Sequence, residues 1–128
     1  AQQPEKKPEV TSAADQYKMA LKYEKGDGVE RSAVLAKEWY EKAANQGHAD
    51  AQYFLALCYQ DGTGVEKNKK MMWKWYYAAS DNGNMIARGL CELRNEKRRE
   101  KEKREEIYQY IIYALVAIAA IASWIWYS

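Results

Sequence analysis

Few residues in this sequence are of types that could do chemistry, and their surroundings do not support it. His48 is the sole histidine, and Asp50 follows it closely in a stretch of turn-forming character. A catalytic base needs a nucleophile and an orienting group within reach, and no Ser/His/Asp set or carboxylate pair supplies them. His48 therefore reads as a turn residue. Cys58 and Cys91 show no CxxC spacing and have no histidine cluster beside them, which argues against zinc. Gly26-Asp27-Gly28 shares only its glycines with a phosphate loop. The expectation is a protein that is not an enzyme, with no catalytic, cofactor or metal residues. Lys67, Lys69, Lys70 and Lys74 stand close to Trp73 and Tyr77, and bases beside aromatics can hold nucleic acid. The whole chain, however, balances 20 Lys+Arg against 18 Asp+Glu, for a net charge of +2, with the signs interleaved. No nucleic-acid partner is expected from that balance. The aromatic content points elsewhere: 11 Tyr and 5 Trp against one Phe favour side chains with an apolar body and a polar tip, suited to protein and lipid interfaces.

The chain divides into four zones. Residues 1–11 are polar, contain both prolines and read as a flexible tail. Residues 12–91 are periodic and helical. Residues 92–106 are nearly all charged, and residues 107–126 carry no charge. At about 1.5 Å per residue, Ile107 to Ile125 spans roughly 28 Å, close to the thickness of a bilayer's hydrocarbon core. Tyr108, Tyr110 and Tyr113 sit at one end of the stretch, and Trp124, Trp126 and Tyr127 at the other, as in interfacial aromatic belts. A chain this short could hardly cover such a helix on all sides in water. One single-pass transmembrane helix follows. Val116, Ala119, Ala120 and Ser123 give it a side of mostly small residues, where a neighbouring helix, from a partner or a second copy, could approach.

Residues 12–91 contain an internal repeat. At an offset of 36 residues Tyr23 meets Tyr59, Gly26 meets Gly62, Gly28 meets Gly64, and Val29 meets Val65. Trp39 meets Trp75, Tyr40 meets Tyr76, Ala43 meets Ala79, and Gly47 meets Gly83. Each unit reads as helix, Gly-x-Gly turn, helix, Gly. Ser32 and Asn68 stand where they can cap the second helix of each pair. The fold class is all-α, a short solenoid of αα-hairpins. The segments YEKGDGVERSAVLAKEWYEKAANQGHADAQ and YQDGTGVEKNKKMMWKWYYAASDNGN resemble the Sel1-like repeat family, a branch of the tetratricopeptide-type solenoids. The resemblance covers residues 14–91. It implies a protein-interaction scaffold, often in membrane-associated or signalling assemblies, with no catalytic residues to carry over. A third unit opens at Met85-Ile86-Ala87, but Cys91 stands where Leu55 stood and the charged run begins before any Gly-x-Gly turn. Two repeats and a half result. About three are usually needed for a stable solenoid, so cover is expected from the last helix, a partner or a second copy.

The charged run holds seven basic and six acidic residues and no Gly or Pro, so one helix is expected to run from the third unit through the span. At about 1.5 Å per residue, its charged part would hold the repeats roughly 20 Å off the bilayer. Glu100 with Arg104, and Arg98 with Glu102 in the weaker order, are spaced for ion pairs. Positive-inside counting finds seven Lys and Arg before the span and none after it, which puts the repeats in the cytoplasm. A leader removed before Ala1 would reverse this and place them on a periplasmic or lumenal side. A disulfide between Cys58 and Cys91 would accompany only an oxidising compartment; otherwise both are core thiols. Lys37 and Glu41 of the first unit suit a solvated face, yet their counterparts are Trp73 and Tyr77. Two large aromatics there imply a covered surface, under this chain's own final helix, a partner or the membrane surface. Trp73, Tyr77, Lys70 and Lys74 are the candidate partner-binding residues. Two functions fit: a single-pass membrane adaptor that recruits or stabilises a partner protein, or an accessory structural subunit of a larger membrane complex.

Overall fold

A computed structural model describes residues 10–128. Most of the tail expected over residues 1–11 lies outside them. Five helices follow in order: α1 (Ala13–Lys25), α2 (Ala33–Asn45), α3 (Ala49–Asp61), α4 (Lys69–Asp81) and α5 (Met85–Tyr127), with no strand among the described residues. The chain forms two compact units, one ending at Cys91 and the other spanning Glu92–Ser128.

Every helix starts on a capping side chain, and the caps repeat with the sequence. Ser12 Oγ, His48 Nδ1 and Asn84 Oδ1 accept from the backbone N–H groups of Asp15, Ala51 and Ala87 at 3.1, 3.1 and 2.9 Å. Ser32 Oγ and Asn68 Oδ1 accept from Leu35 and Met71 at 3.2 and 3.0 Å. Each satisfies a donor that the first helical turn leaves without an intrahelical partner. His48 is thus more than a turn residue; it is the cap of α3. The helix ends repeat too. Gly26 and Gly62 take left-handed backbone angles, φ 72 and 71, and donate to the carbonyls of Lys22 and Cys58 at 2.8 and 2.9 Å. Asp27 and Thr63 donate to the same two carbonyls, both at 3.0 Å, which closes each turn.

In the first unit α1 packs on α2, α2 on α3 and α3 on α4. Its core alternates small and large residues. Ala20, Ala36, Ala43, Ala44, Ala51, Ala56, Ala79 and Ala87 are buried, which lets helix backbones approach closely. Tyr40, Leu55, Tyr59, Met72, Trp75 and Tyr76 fill the space between them. Burying those six side chains contributes roughly 1.5–3 kcal/mol each.

The second unit is helical to Tyr127, so α5 runs without a break from Met85. Its residues are exposed apart from the half-buried Asn95. α5 is long and apolar enough to cross a membrane, with a mean hydropathy of 1.8 over its apolar stretch and none of that stretch buried. Arg98 pairs with Glu102 and Lys101 with Glu105, each at 3.7 Å. The pair expected between Glu100 and Arg104 does not form; exposed side chains gain little by pairing in water.

Candidate functional site

Each repeat is tied together by side-chain hydrogen bonds that recur at the same offset. Tyr40 of α2 donates its hydroxyl proton to the Glu24 carboxylate at the end of α1. One repeat later Tyr76 donates to the Gln60 side-chain oxygen at 2.6 Å. A second pair of bonds ties the other ends of the helices: Gln46 donates to Gln16 at 2.7 Å, and Asn82 to Gln52 at 2.9 Å. Gln52, nearly fully buried, also donates to the Ala44 carbonyl at 3.1 Å, linking the repeats directly. Asn84 donates to the Asp50 carboxylate at 3.0 Å while capping α5. Buried amides must find such partners or cost stability. This ladder was not read from the sequence. The same offset that aligned the glycines also aligns Gln16 with Gln52, Glu24 with Gln60, and Gln46 with Asn82, and that signal could have found it.

Gly64 completes the joint between the two repeats. Its φ is 71, and a Cβ there would run into the Ala33 carbonyl group, 2.7 Å from the carbonyl carbon and 3.0 Å from the Val34 nitrogen. Only a residue without a side chain lets this turn rest on the start of α2. Gly28 has the same φ of 71 and open space around it, because no earlier repeat is packed there among the described residues.

A small cavity of about 100 Å³ opens beside Glu24, Arg31, Ala36, Tyr40 and Cys58. Ligand pockets usually measure about 300–1,000 Å³. Its chemistry is muted as well. Burial and the nearby Glu24 charge push the Cys58 thiol up to about 11. At neutral pH it stays protonated, and the thiol is a poor nucleophile beside the thiolate. Burial and the bond to Glu24 raise Tyr40 far above the ordinary phenol range, and burial pushes Tyr76 up to about 12. These hydroxyls remain donors rather than bases. Cys58 and Cys91 are both buried free thiols. No group of three His, Cys, Asp or Glu residues that could hold a metal occurs among the described residues.

The partner-binding candidates lie on α4. Trp73 and Tyr77 are half-buried and packed against the core, with ring centroids 6.2 Å apart. Trp73 also meets Tyr76 edge-on at 5.6 Å. Lys70 and Lys74 are exposed. The Lys74 ammonium lies 5.2 Å from the centre of the Trp75 ring. The comparison with the first repeat needs a correction. Lys37 is not on a freely solvated face: its side chain is 16% exposed and forms a 2.7 Å ion pair with Glu41. Its ammonium reaches over the Tyr59 ring of α3 at 5.9 Å. The hydrogen bond that Lys37 donates to Glu41 raises the Lys37 pKa, against the lowering by burial. The second repeat therefore replaces a half-covered ion pair with two half-covered rings. Of the span residues, Val116, Ala119, Ala120 and Ser123, like Tyr108, Tyr110, Trp124, Trp126 and Tyr127, are exposed along α5.

The model of the Sel1 repeat matches this chain twice, over residues 13–48 and 49–84. Solved structures agree with it. A Sel1 repeat protein from Oxalobacter formigenes is 43% identical over 60% of this chain, with a TM-score of 0.59. Helicobacter pylori cysteine rich protein B is 27% identical over 61%, with a TM-score of 0.60. The protective antigen c5321 of uropathogenic Escherichia coli, which displays an SLR fold, is 35% identical over 56%, with a TM-score of 0.55. The matches span 32%, 59% and 15% of those three proteins, so this chain covers only part of each. A search among curated proteins finds no match.

Proposed function

The chain belongs to the Sel1 repeat family, whose repeats mediate protein–protein contact, and from that premise we propose that it is a single-pass membrane-anchored adaptor. The repeats recruit or stabilise a partner protein, and residues 107–126 of α5 hold them at a bilayer. The observation that carries the partner reading is the exchange of the Lys37–Glu41 ion pair for Trp73 and Tyr77, with Lys70 and Lys74 exposed on the same helix. Half-buried Trp and Tyr side chains flanked by charge are what well-packed interface anchors look like. The anchor reading is supported by the exposed apolar stretch, which water would tolerate poorly and a bilayer would cover. Sel1 repeat proteins are typically non-enzymatic scaffolds, and the high thiol and phenol pKa values at the joint fit that role.

The excess of Lys and Arg before the span supports repeats on the cytoplasmic side. Val116, Ala119, Ala120 and Ser123 offer a smooth face to a membrane helix of the same assembly. Tyr108 and Tyr110 at one end, and Trp124, Trp126 and Tyr127 at the other, fit the headgroup regions.

The test is a photo-cross-linking amino acid at position 77 of the full chain in native membranes, with position 41 as the control. The adaptor reading expects adducts to another protein from position 77, lost when Trp73 is changed to Asp. Adducts confined to this chain's own residues would mean that its own helix covers the patch, and the partner reading would fail.

A further inference from the structure

We propose that the second unit carries one continuous seam along α5 which pairs, in parallel, with the same seam of a second copy of this chain. The inference rests on the membrane-anchored reading, because a shared bilayer fixes both helices in the same direction.

The seam is a matter of spacing. Leu93, Lys97, Glu100, Arg104, Ile107, Ile111, Ala114, Ile118, Ile121 and Ile125 follow one another in alternating steps of four and three. They average 3.5 residues per turn, the period that keeps one stripe facing a partner helix in a left-handed supercoil. All ten lie on a single unbroken helix and are exposed. In the apolar part the stripe is isoleucine at every position except Ala114. Val116, Ala119, Ala120 and Ser123 fall on the opposite side, so the seam leaves that face open to a different neighbour.

Charge specifies the occupant. Three seam positions are charged: Lys97, Glu100 and Arg104. In a parallel, register-matched pair each of these layers sets two like charges side by side, so their long side chains turn outward to water and the complementarity lies at the flanks. Glu96 precedes the Lys97 layer and Lys101 follows the Glu100 layer, five residues apart. At that spacing the two flanking positions meet across a parallel seam, and the symmetric pair makes the contact twice. An antiparallel pair would instead set Lys97, Glu100 and Arg104 against the isoleucines of the span, where charge is costly. Two helices suit the charged layers better than three, because long side chains can turn outward to water beside a two-helix seam.

The test uses the full chain with Cys58→Ala and Cys91→Ala, purified and reconstituted in phosphatidylcholine vesicles that are then floated. Single cysteines replace Ile107, Ile111 or Ile118 on the seam, or Val116 or Ala120 on the far side, and the vesicles are oxidised. Disulfide-linked dimer is expected from the seam positions and not from the far side. Glu96→Lys should lower the linked fraction about tenfold, and adding Lys101→Glu should restore it. Equal linking on both sides, linking favoured at positions 116 and 120, or no response to the charge swap would overturn the proposal. A chain that fails to float refutes the membrane reading itself. One that floats without seam-specific linking refutes this inference alone.

Discussion

Gly64→Ala and Gly28→Ala are the same substitution at equivalent turns, and the joint predicts very different outcomes. Both glycines sit at φ 71, so each alanine carries the left-handed backbone penalty, about 1 kcal/mol. Gly28 has nothing within 4 Å of the added methyl. At Gly64 the methyl meets the carbonyl of Ala33, and that neighbour is helix backbone rather than a side chain that can swing away. The turn and the start of α2 must separate, which adds roughly 1–3 kcal/mol of overpacking. Gly64→Ala should therefore destabilise the first unit by about 3 kcal/mol, against about 1 for Gly28→Ala. A difference of about 2 kcal/mol corresponds to roughly 10 °C in midpoint for a domain of this size. The assay is thermal unfolding of the full chain in detergent micelles, followed by near-ultraviolet circular dichroism. Equal losses from the two alanines would refute the claim that Gly64 is the contact between repeats.

Two further outcomes follow from the bonds within each repeat and from the burial of Cys58. Tyr40→Phe leaves the Glu24 carboxylate without its donor and should cost about 1.5–3 kcal/mol, whereas Tyr76→Phe breaks a neutral bond to Gln60 and should cost about 1 kcal/mol, both read from urea unfolding. The pH response has a definite sign. Cys58 moves from an ordinary value of 9.0 up to about 11, and Tyr76 from 10.0 up to about 12, so the folded state holds both protons more tightly. Stability is then fully present below pH 9 and is lost as the pH rises toward 12. At about 1.4 kcal/mol per pKa unit, Cys58 alone accounts for a loss of roughly 2–3 kcal/mol. Cys58→Ala should flatten the lower part of that alkaline slope in a titration of unfolding midpoints; an unchanged slope would remove Cys58 from the account.

The architecture was legible because the repeat writes its constraints twice. Glycines that need positive φ, the Ser32 and Asn68 caps, and the Trp-Tyr-x-x-Ala core all recur at one offset, and the structure realises each of them. The unbroken α5 followed from the lack of Gly or Pro after Leu90. What escaped was pairing between side chains distant in sequence. Nothing in the local composition says that Gln52 reaches back to the Ala44 carbonyl, or that His48 turns its Nδ1 to cap α3. Lys37 was misjudged for a related reason. A lysine on a helix surface looks solvated until a neighbouring ring, here Tyr59, and an ion-pair partner one turn away hold its stem down. The candidate patch was visible as a contrast between Lys37 and Glu41 in one repeat and Trp73 and Tyr77 in the next.

The central claim is an anchored solenoid, and alkaline carbonate extraction of membranes carrying the full chain tests it most directly. Carbonate strips peripheral proteins and leaves spanning helices in the lipid. The account predicts that the chain stays in the membrane pellet, and that Ala117→Arg with Ile118→Arg, placed mid-span, shifts it to the supernatant. Release of the unaltered chain into the supernatant would contradict the account.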